Sequence, residues 1–314
     1  MLLDILMLAA GLVLLVFAGD FLVKGAAGLA ENLGIPSLII GLTIVAFGTS
    51  APELVVSLQS ALSGAPDIAV GNVIGSNIAN VLLVLGLPAI IAVVHAEQRG
   101  LARNVAVMLV FTIAFMWMIS DDLLSRTEAA FLFAGLLLFV MVQILRARTH
   151  IEEEQTGDYH EELGDLPHAP GRIAFHLAGG LIGLPIAAHL TVSGASGIAQ
   201  AFGISQAAIG LTIVAVGTSL PELATTLVAA WRKKADVALG NIIGSNIFNI
   251  GAIMGITGLI IPVPVSHIII ERDMWMMLAA AVALTVICFA RIATGKILGA
   301  IMFAAYLIYV AVVL

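Results

Sequence analysis

The chain has 314 residues, 61% of them hydrophobic and 11% charged, and a formal net charge of −7. Soluble domains carry roughly 25% charged residues, and at a mean hydropathy of +1.13 a globule of this size could not coat its surface. The composition excludes a soluble protein and describes a polytopic membrane protein. The 13 Lys and Arg form no basic stripe, which argues against nucleic acid as a partner. The lone Cys288 excludes an intramolecular disulfide, a zinc cluster and an iron–sulfur site, and reads as a small core hydrophobe.

The N-terminus is apolar from the outset, with Asp4 and no basic residue before Lys24, so it reads as a retained first span. Runs of about 20 apolar residues begin near Leu2, Pro36, Asp67, Arg103, Arg126, Arg172, Ser205, Asp236, Met274 and Ile297, which predicts ten transmembrane helices. Most connections are short. The exception is an acidic stretch, 146–171, with Glu152, Glu153, Glu154, Asp158, Glu161, Glu162 and Asp165, read as a solvated linker.

The chain repeats itself. GLTIVAFGTSAPELVVS from Gly41 returns as GLTIVAVGTSLPELATT from Gly210, and GNVIGSNIAN from Gly71 as GNIIGSNIFN from Gly240. The offset is 169 throughout (Gly41 to Gly210, Glu53 to Glu222, Gly71 to Gly240). Each half then holds five spans, 1–145 and 172–314, on either side of the linker. An odd number of spans inverts the second half in the membrane. Inverted repeats are a plan of secondary transporters, which bind substrate near the midplane between the repeats. The positive-inside rule points the same way. With the N-terminus outside, Lys24, Arg99, Arg103, Arg146, Arg148, Arg172, Arg232, Lys233, Lys234, Arg291 and Lys296 fall on the cytoplasmic side, leaving Arg126 and Arg272 outside.

Most acidic residues sit in loops or at span ends. Asp67 and Asp236 open spans and are expected to cap them. Asp20 stands one turn from Lys24 and is expected to pair with it. His189, its repeat counterpart, is expected to be a hydrogen-bonded core histidine. Glu53 and Glu222 are different. Each lies mid-span, where a lone charge costs roughly 2.5–3.5 kcal/mol, and two such costs at equivalent positions require a function.

Each glutamate closes the motif Gly-Thr-Ser-x-Pro-Glu. Proline donates no backbone hydrogen bond, so carbonyls near Gly48, Thr49, Gly217 and Thr218 lose helical partners. At membrane depth such carbonyls must line a cavity or meet a ligand. Thr49, Ser50, Thr218 and Ser219 add hydroxyls. On the following spans Asn72, Ser76 and Asn80, and then Asn241, Ser245 and Asn249, fall at i, i+4 and i+8 on one stripe. The set is all oxygen, which suits hard cations such as Ca²⁺ and Na⁺. The glycines of GNVIG and GNIIG are expected to let helices approach closely.

The paired GTS-x-PE and GN-x-IGSNI-x-N motifs resemble the two α-repeats of the calcium/cation antiporter superfamily, with prokaryotic sodium/calcium exchangers the nearest likeness. The resemblance implies a Ca²⁺ site of Glu53 and Glu222 with main-chain oxygens of Thr49 and Thr218. It implies Na⁺ sites sharing those glutamates with Ala46, Ser50, Ser76, Asn80, Ala215, Ser219, Ser245 and Asn249. It implies Ca²⁺ and Na⁺ as the partners, no cofactor, and exchange by mutual exclusion. Some members carry aspartate at the position of Asn249; here Asn80 and Asn249 are both amides, which argues against potassium dependence and leaves the Na⁺ stoichiometry open. An H⁺/Ca²⁺ antiporter would use the same glutamates, and a cation channel would not require inverted repeats. No HExxH or GxSxG motif suggests an enzyme.

Overall fold

The computed structural model describes residues 1–154, 166–203 and 215–313, with side chains described outside 148–154 and Ala215. Helices account for almost all of the described chain: α1 (Leu2–Leu33), α2 (Ser37–Thr49), α3 (Ala51–Leu62), α4 (Pro66–Ile91), α5 (Leu101–Met118), α6 (Arg126–Glu154), α7 (Pro170–Ala201), α8 (Ala215–Thr218), α9 (Leu220–Trp231), α10 (Ala235–Ile260), α11 (Ile269–Phe289) and α12 (Lys296–Val313). Among the described residues eight helices are long and apolar enough to cross a membrane, and α2 with α3, bent by 44°, makes a ninth span. The expected tenth begins near Ser205; residues 204–214 lie outside the described residues, and α8 and α9 are its described part.

A helix of 32 residues, such as α1, is about 48 Å long at the α-helical rise, more than a bilayer core needs, so it must tilt. It stops at Gly34, whose φ of 61° is the left-handed conformation that glycine adopts without penalty. The repeat partners α1 and α7 pack against one another in opposite directions. Gly180 lies against Leu22, Gly183 against Ala18 and Gly194 against Leu8, so one number rises as the other falls. That antiparallel register between equivalent helices is the inverted repeat in three dimensions.

Two short β contacts repeat the symmetry. Strand β1 (Leu123–Leu124) pairs antiparallel with β2 (Val263–Pro264), Leu124 opposite Val263, and Val94, the repeat equivalent of Val263, bridges to Thr294. At the centre stand α4 and α10, the most buried of the spans, while α1, α6, α7 and α12 turn most of their apolar side chains outward, as lipid-facing helices do.

Several expectations change in the structure. The stretch 146–171 is helical at its start: α6 runs on to Glu154, with no proline or glycine between Arg146 and Glu154 to break it. Its remaining acidic residues, Asp158, Glu161, Glu162 and Asp165, lie outside the described residues. Asp67 and Asp236 do not cap their helices; they sit one residue inside the first turn, and the N-cap positions belong to Ala65 and Lys234. Asp67 instead accepts a hydrogen bond from the Ser266 amide at 3.1 Å. His189 is exposed on the outer face of α7 and is not a core histidine. Cys288 is buried.

Candidate ion-binding site

The site is built where helices break. Pro52 and Pro221 occupy the first turn of α3 and α9, where a missing amide hydrogen costs nothing. The cost is displaced to the preceding helices, since Gly48 and Gly217 are left without the amide that would have met their carbonyls. Ser50 (ψ 3°) and Ser219 (ψ 6°) leave helical geometry at the two breaks. Glu53 and Glu222 follow within the first turn, beside free backbone amides that favour negative charge.

Three further discontinuities flank them. Segments Asn80–Leu85 of α4 and Asn249–Met254 of α10 wind as π-helix, one extra residue per turn, at repeat-equivalent positions. Gly41–Val45 of α2 does the same. Such bulges re-aim side chains and free carbonyls, and they concentrate at functional sites.

The structure brings Thr49, Ser50, Ala46, Ser245 and Glu222 into contact. Glu53 and Glu222 are each 1% exposed. Ser50 donates to Glu222 Oε1 at 3.2 Å. The Thr49 hydroxyl has two acceptors for its one proton, Asn241 Oδ1 at 3.1 Å and the Ala46 carbonyl at 3.3 Å, and lies 3.4 Å from Ser245 Oγ. Ser76, Ser219, Ser245, Asn80 and Asn249 are all buried, and Thr218 is half-buried at the second break. Ala215 opens α8.

Asn72 and Asn241 serve the glutamates from behind. Asn72 Nδ2 donates to the Glu53 carbonyl (3.3 Å) and Ser57 Oγ (2.9 Å). Asn241 Nδ2 donates to the Glu222 carbonyl (3.5 Å) and Thr226 Oγ1 (3.2 Å). They brace the backbone of α3 and α9 against α4 and α10.

Sequence reasoning missed Asn77 and Asn246. Asn80 Nδ2 donates to Asn246 Oδ1 at 3.0 Å, and Asn249 Nδ2 donates to Asn77 Oδ1 at 3.0 Å. These four amides tie the repeats together across the pseudo-twofold axis. Both missed residues stand inside the IGSNI motif, next to Ser76 and Ser245; the duplication was their only signal in the sequence.

What remains is a set of buried oxygens with no hydrogen-bond donor: Glu53 Oε2, Glu222 Oε2, Asn80 Oδ1 and Asn249 Oδ1, with Ser219 Oγ also unpartnered. An unsatisfied buried acceptor costs about 1–3 kcal/mol, and four of these five form two repeat-equivalent pairs. Hard oxygens without donors are what a desolvated Ca²⁺ or Na⁺ requires. Among the described residues no three His, Cys, Asp or Glu gather, so the two glutamates carry the site's formal charge.

The glycines hold this centre tight. A Cβ on Gly240 would come within 2.9 Å of the Leu38 carbonyl, and one on Gly244 within 2.6 Å of the Ala46 side chain.

Two inverted repeats enclosing paired glutamates at broken helices define the architecture of a secondary transporter. The chain belongs to the sodium/calcium exchanger family: the family model described as "Sodium/calcium exchanger protein" matches residues 3–145 and 173–314. It is 32% identical to the sodium/calcium exchanger MaX1 of Methanosarcina acetivorans, over 93% of this chain and 92% of that one. It is 38% identical to the inner membrane protein YrbG of Escherichia coli, over 93% and 90% of the two chains. The solved structure of the sodium-calcium exchanger NCX_Mj soaked with zero Na⁺ and Ca²⁺ superposes with a TM-score of 0.82 at 33% identity, covering 100% of this chain and 99% of that one.

Proposed function

We propose that this protein exchanges Ca²⁺ for Na⁺ across the cell membrane by alternating access, with the two ions competing for one site at the midplane. The observation that carries this reading is the pairing of unpartnered buried oxygens, Glu53 with Glu222 and Asn80 with Asn249, at repeat-equivalent positions. Ca²⁺ is held by the two glutamates and the main-chain oxygens of Thr49 and Thr218. Na⁺ ions share the glutamates with Ala46, Ser50, Ser76, Asn80, Ala215, Ser219, Ser245 and Asn249.

The exchange follows from charge. Two carboxylates in a low-dielectric site repel strongly when uncompensated, and carrying that charge through a closed state is costly. Bound Ca²⁺, or several Na⁺ together, neutralises the pair and lets the carrier reorient. Neither can leave without the other replacing it, so transport is coupled.

The five-helix halves, 1–145 and 172–314, move relative to one another, with the N-terminus outside and 146–171 cytoplasmic. The Asp20 carboxylate supports that orientation, for it pairs with both Lys24 (3.2 Å) and Arg232, gathering basic residues of α1 and the α9–α10 turn at one end of the molecule.

The test is uptake of radiolabelled calcium by proteoliposomes under imposed Na⁺, K⁺ or H⁺ gradients. Uptake should follow the Na⁺ gradient. Uptake that follows pH and ignores Na⁺ would replace this reading with H⁺/Ca²⁺ antiport through the same glutamates, and equal flux without any counter-ion would indicate a channel.

A further inference from the structure

Asn80 and Asn249 can serve a cation only if each turns its oxygen, and not its amide nitrogen, toward the ion. The two ends of a carboxamide are nearly the same shape, so packing alone does not choose between them; hydrogen-bond partners must. The choice can be traced outward. Asn80 Nδ2 donates to Asn246 Oδ1 at 3.0 Å, which explains Asn80 only if Asn246 is itself oriented. Asn246 Nδ2 donates to the thioether sulfur of Met108 at 3.4 Å. A thioether accepts and cannot donate, so the end of Asn246 facing it must be the nitrogen. Asn246 Oδ1 is thereby turned to Asn80, Asn80 must answer with Nδ2, and Asn80 Oδ1 is left buried without a hydrogen-bond partner.

The same chain runs in the other repeat. Asn249 Nδ2 donates to Asn77 Oδ1 at 3.0 Å, and Asn77 Nδ2 to the Met277 sulfur at 3.7 Å and the Asn246 carbonyl at 3.5 Å. Met108 and Met277 are repeat equivalents on α5 and α11, 0% and 2% exposed, and all four amides are at most 3% exposed. With so little exposure, bulk solvent cannot set the polarity of these amides.

We propose that Met108 and Met277 are positioning residues that set the polarity of the ion site, acting through Asn246 and Asn77 to present the oxygens of Asn80 and Asn249 to the cation. They touch no ion themselves. The proposal rests on the exchanger reading and deepens it.

The experiment is a double-mutant cycle on the purified full-length protein, with Ca²⁺ and Na⁺ affinities measured by calorimetry beside Na⁺-driven Ca²⁺ flux. Met108→Leu keeps the volume and removes the acceptor, so Asn246 and Asn80 can flip together. Affinity should fall about tenfold, at the scale of losing an outer partner of a metal ligand. In an Asn80→Asp background the same change should cost nothing or help. Aspartate has no donor end, so Asn246 must turn its nitrogen inward, which puts its oxygen on the Met108 sulfur, and leucine relieves that clash.

Met277→Leu should cost less than Met108→Leu, because Asn77 keeps a second acceptor in the Asn246 carbonyl. Calorimetry scores variants that no longer transport, and the Met277→Leu, Asn249→Asp cycle provides a second reading. An undiminished affinity in Met108→Leu, or an equal loss in both backgrounds, would overturn the proposal while leaving the exchanger reading intact. A wild-type protein that binds neither cation would sink both.

Discussion

Glu53 and Glu222 are the residues on which the molecule spends most. Glu53→Gln or Glu222→Gln keeps the shape and the backbone bonds donated by Asn72 and Asn241, but removes half the charge that balances a divalent ion. Removing one partner of a buried charge set costs about 3–5 kcal/mol, more than two orders of magnitude in affinity. Ca²⁺ flux should be nearly abolished in either variant while expression and elution from size exclusion stay as in wild type; wild-type flux in either would reject a shared site. At this scale the sequence was informative because the glutamates are anomalous where they stand. Asn77 and Asn246 are not. A buried amide in a small-residue stripe is ordinary helix glue, and their role depends on partners 138 to 169 positions away that no local pattern reveals. His189 misled for the same reason: periodicity alone did not show which face of α7 meets lipid.

Among the elements, the two broken helices carry the chemistry. Pro52→Ala would restore an amide able to bond the Gly48 carbonyl and continue α2 into α3 across the 44° bend. Straightening that junction should move the carbonyls of Gly48 and Thr49 away from the ion and lower Ca²⁺ affinity about tenfold or more, since a hydrogen bond or ligand to a charge is worth about 1.5–3 kcal/mol. Thermal stability should hold or rise, which distinguishes loss of a ligand from loss of the fold. Gly240→Ala tests the opposite coupling. Its Cβ would meet the Leu38 carbonyl at 2.9 Å and the Gly41 Cα at 3.1 Å, backbone atoms that cannot rotate away. Overpacking of this kind costs about 1–3 kcal/mol, so the melting temperature in detergent should drop; an unchanged value would mean that α2 and α10 are not held as tightly as drawn. The proline breaks were legible because proline has one backbone chemistry. The π segments at Asn80–Leu85 and Asn249–Met254 were not, since an extra residue in a uniformly apolar helix leaves no mark on hydropathy.

At the scale of the whole molecule, inversion of the repeats was legible in the offset and the odd span count, and α1 against α7 shows it in packing. It predicts that a cysteine placed between Arg232 and Lys234 reacts with an impermeant thiol reagent only from the cytoplasm, and one between Ser63 and Ala65 only from outside. Labelling of both from one side would refute the inversion whatever the ion chemistry proved to be.

The same symmetry bears on energetics. On the exchanger reading proposed above, a site with two formal negative charges would pass Ca²⁺ in one direction and monovalent ions in the other. If three or more Na⁺ exchange for one Ca²⁺, at least one net positive charge crosses with each cycle. Each such charge gains about 2.3 kcal/mol from 100 mV, equivalent to roughly 50-fold in the Ca²⁺ ratio at equilibrium. Reconstituted exchange should therefore be electrogenic. An inside-negative potential set with K⁺ and valinomycin should accelerate Na⁺ entry with Ca²⁺ extrusion and slow the reverse, at fixed Na⁺ and Ca²⁺. Exchange insensitive to potential would instead mean two monovalent charges for each Ca²⁺, so that Asn80 and Asn249 bind no additional charge and only orient the glutamates' cargo.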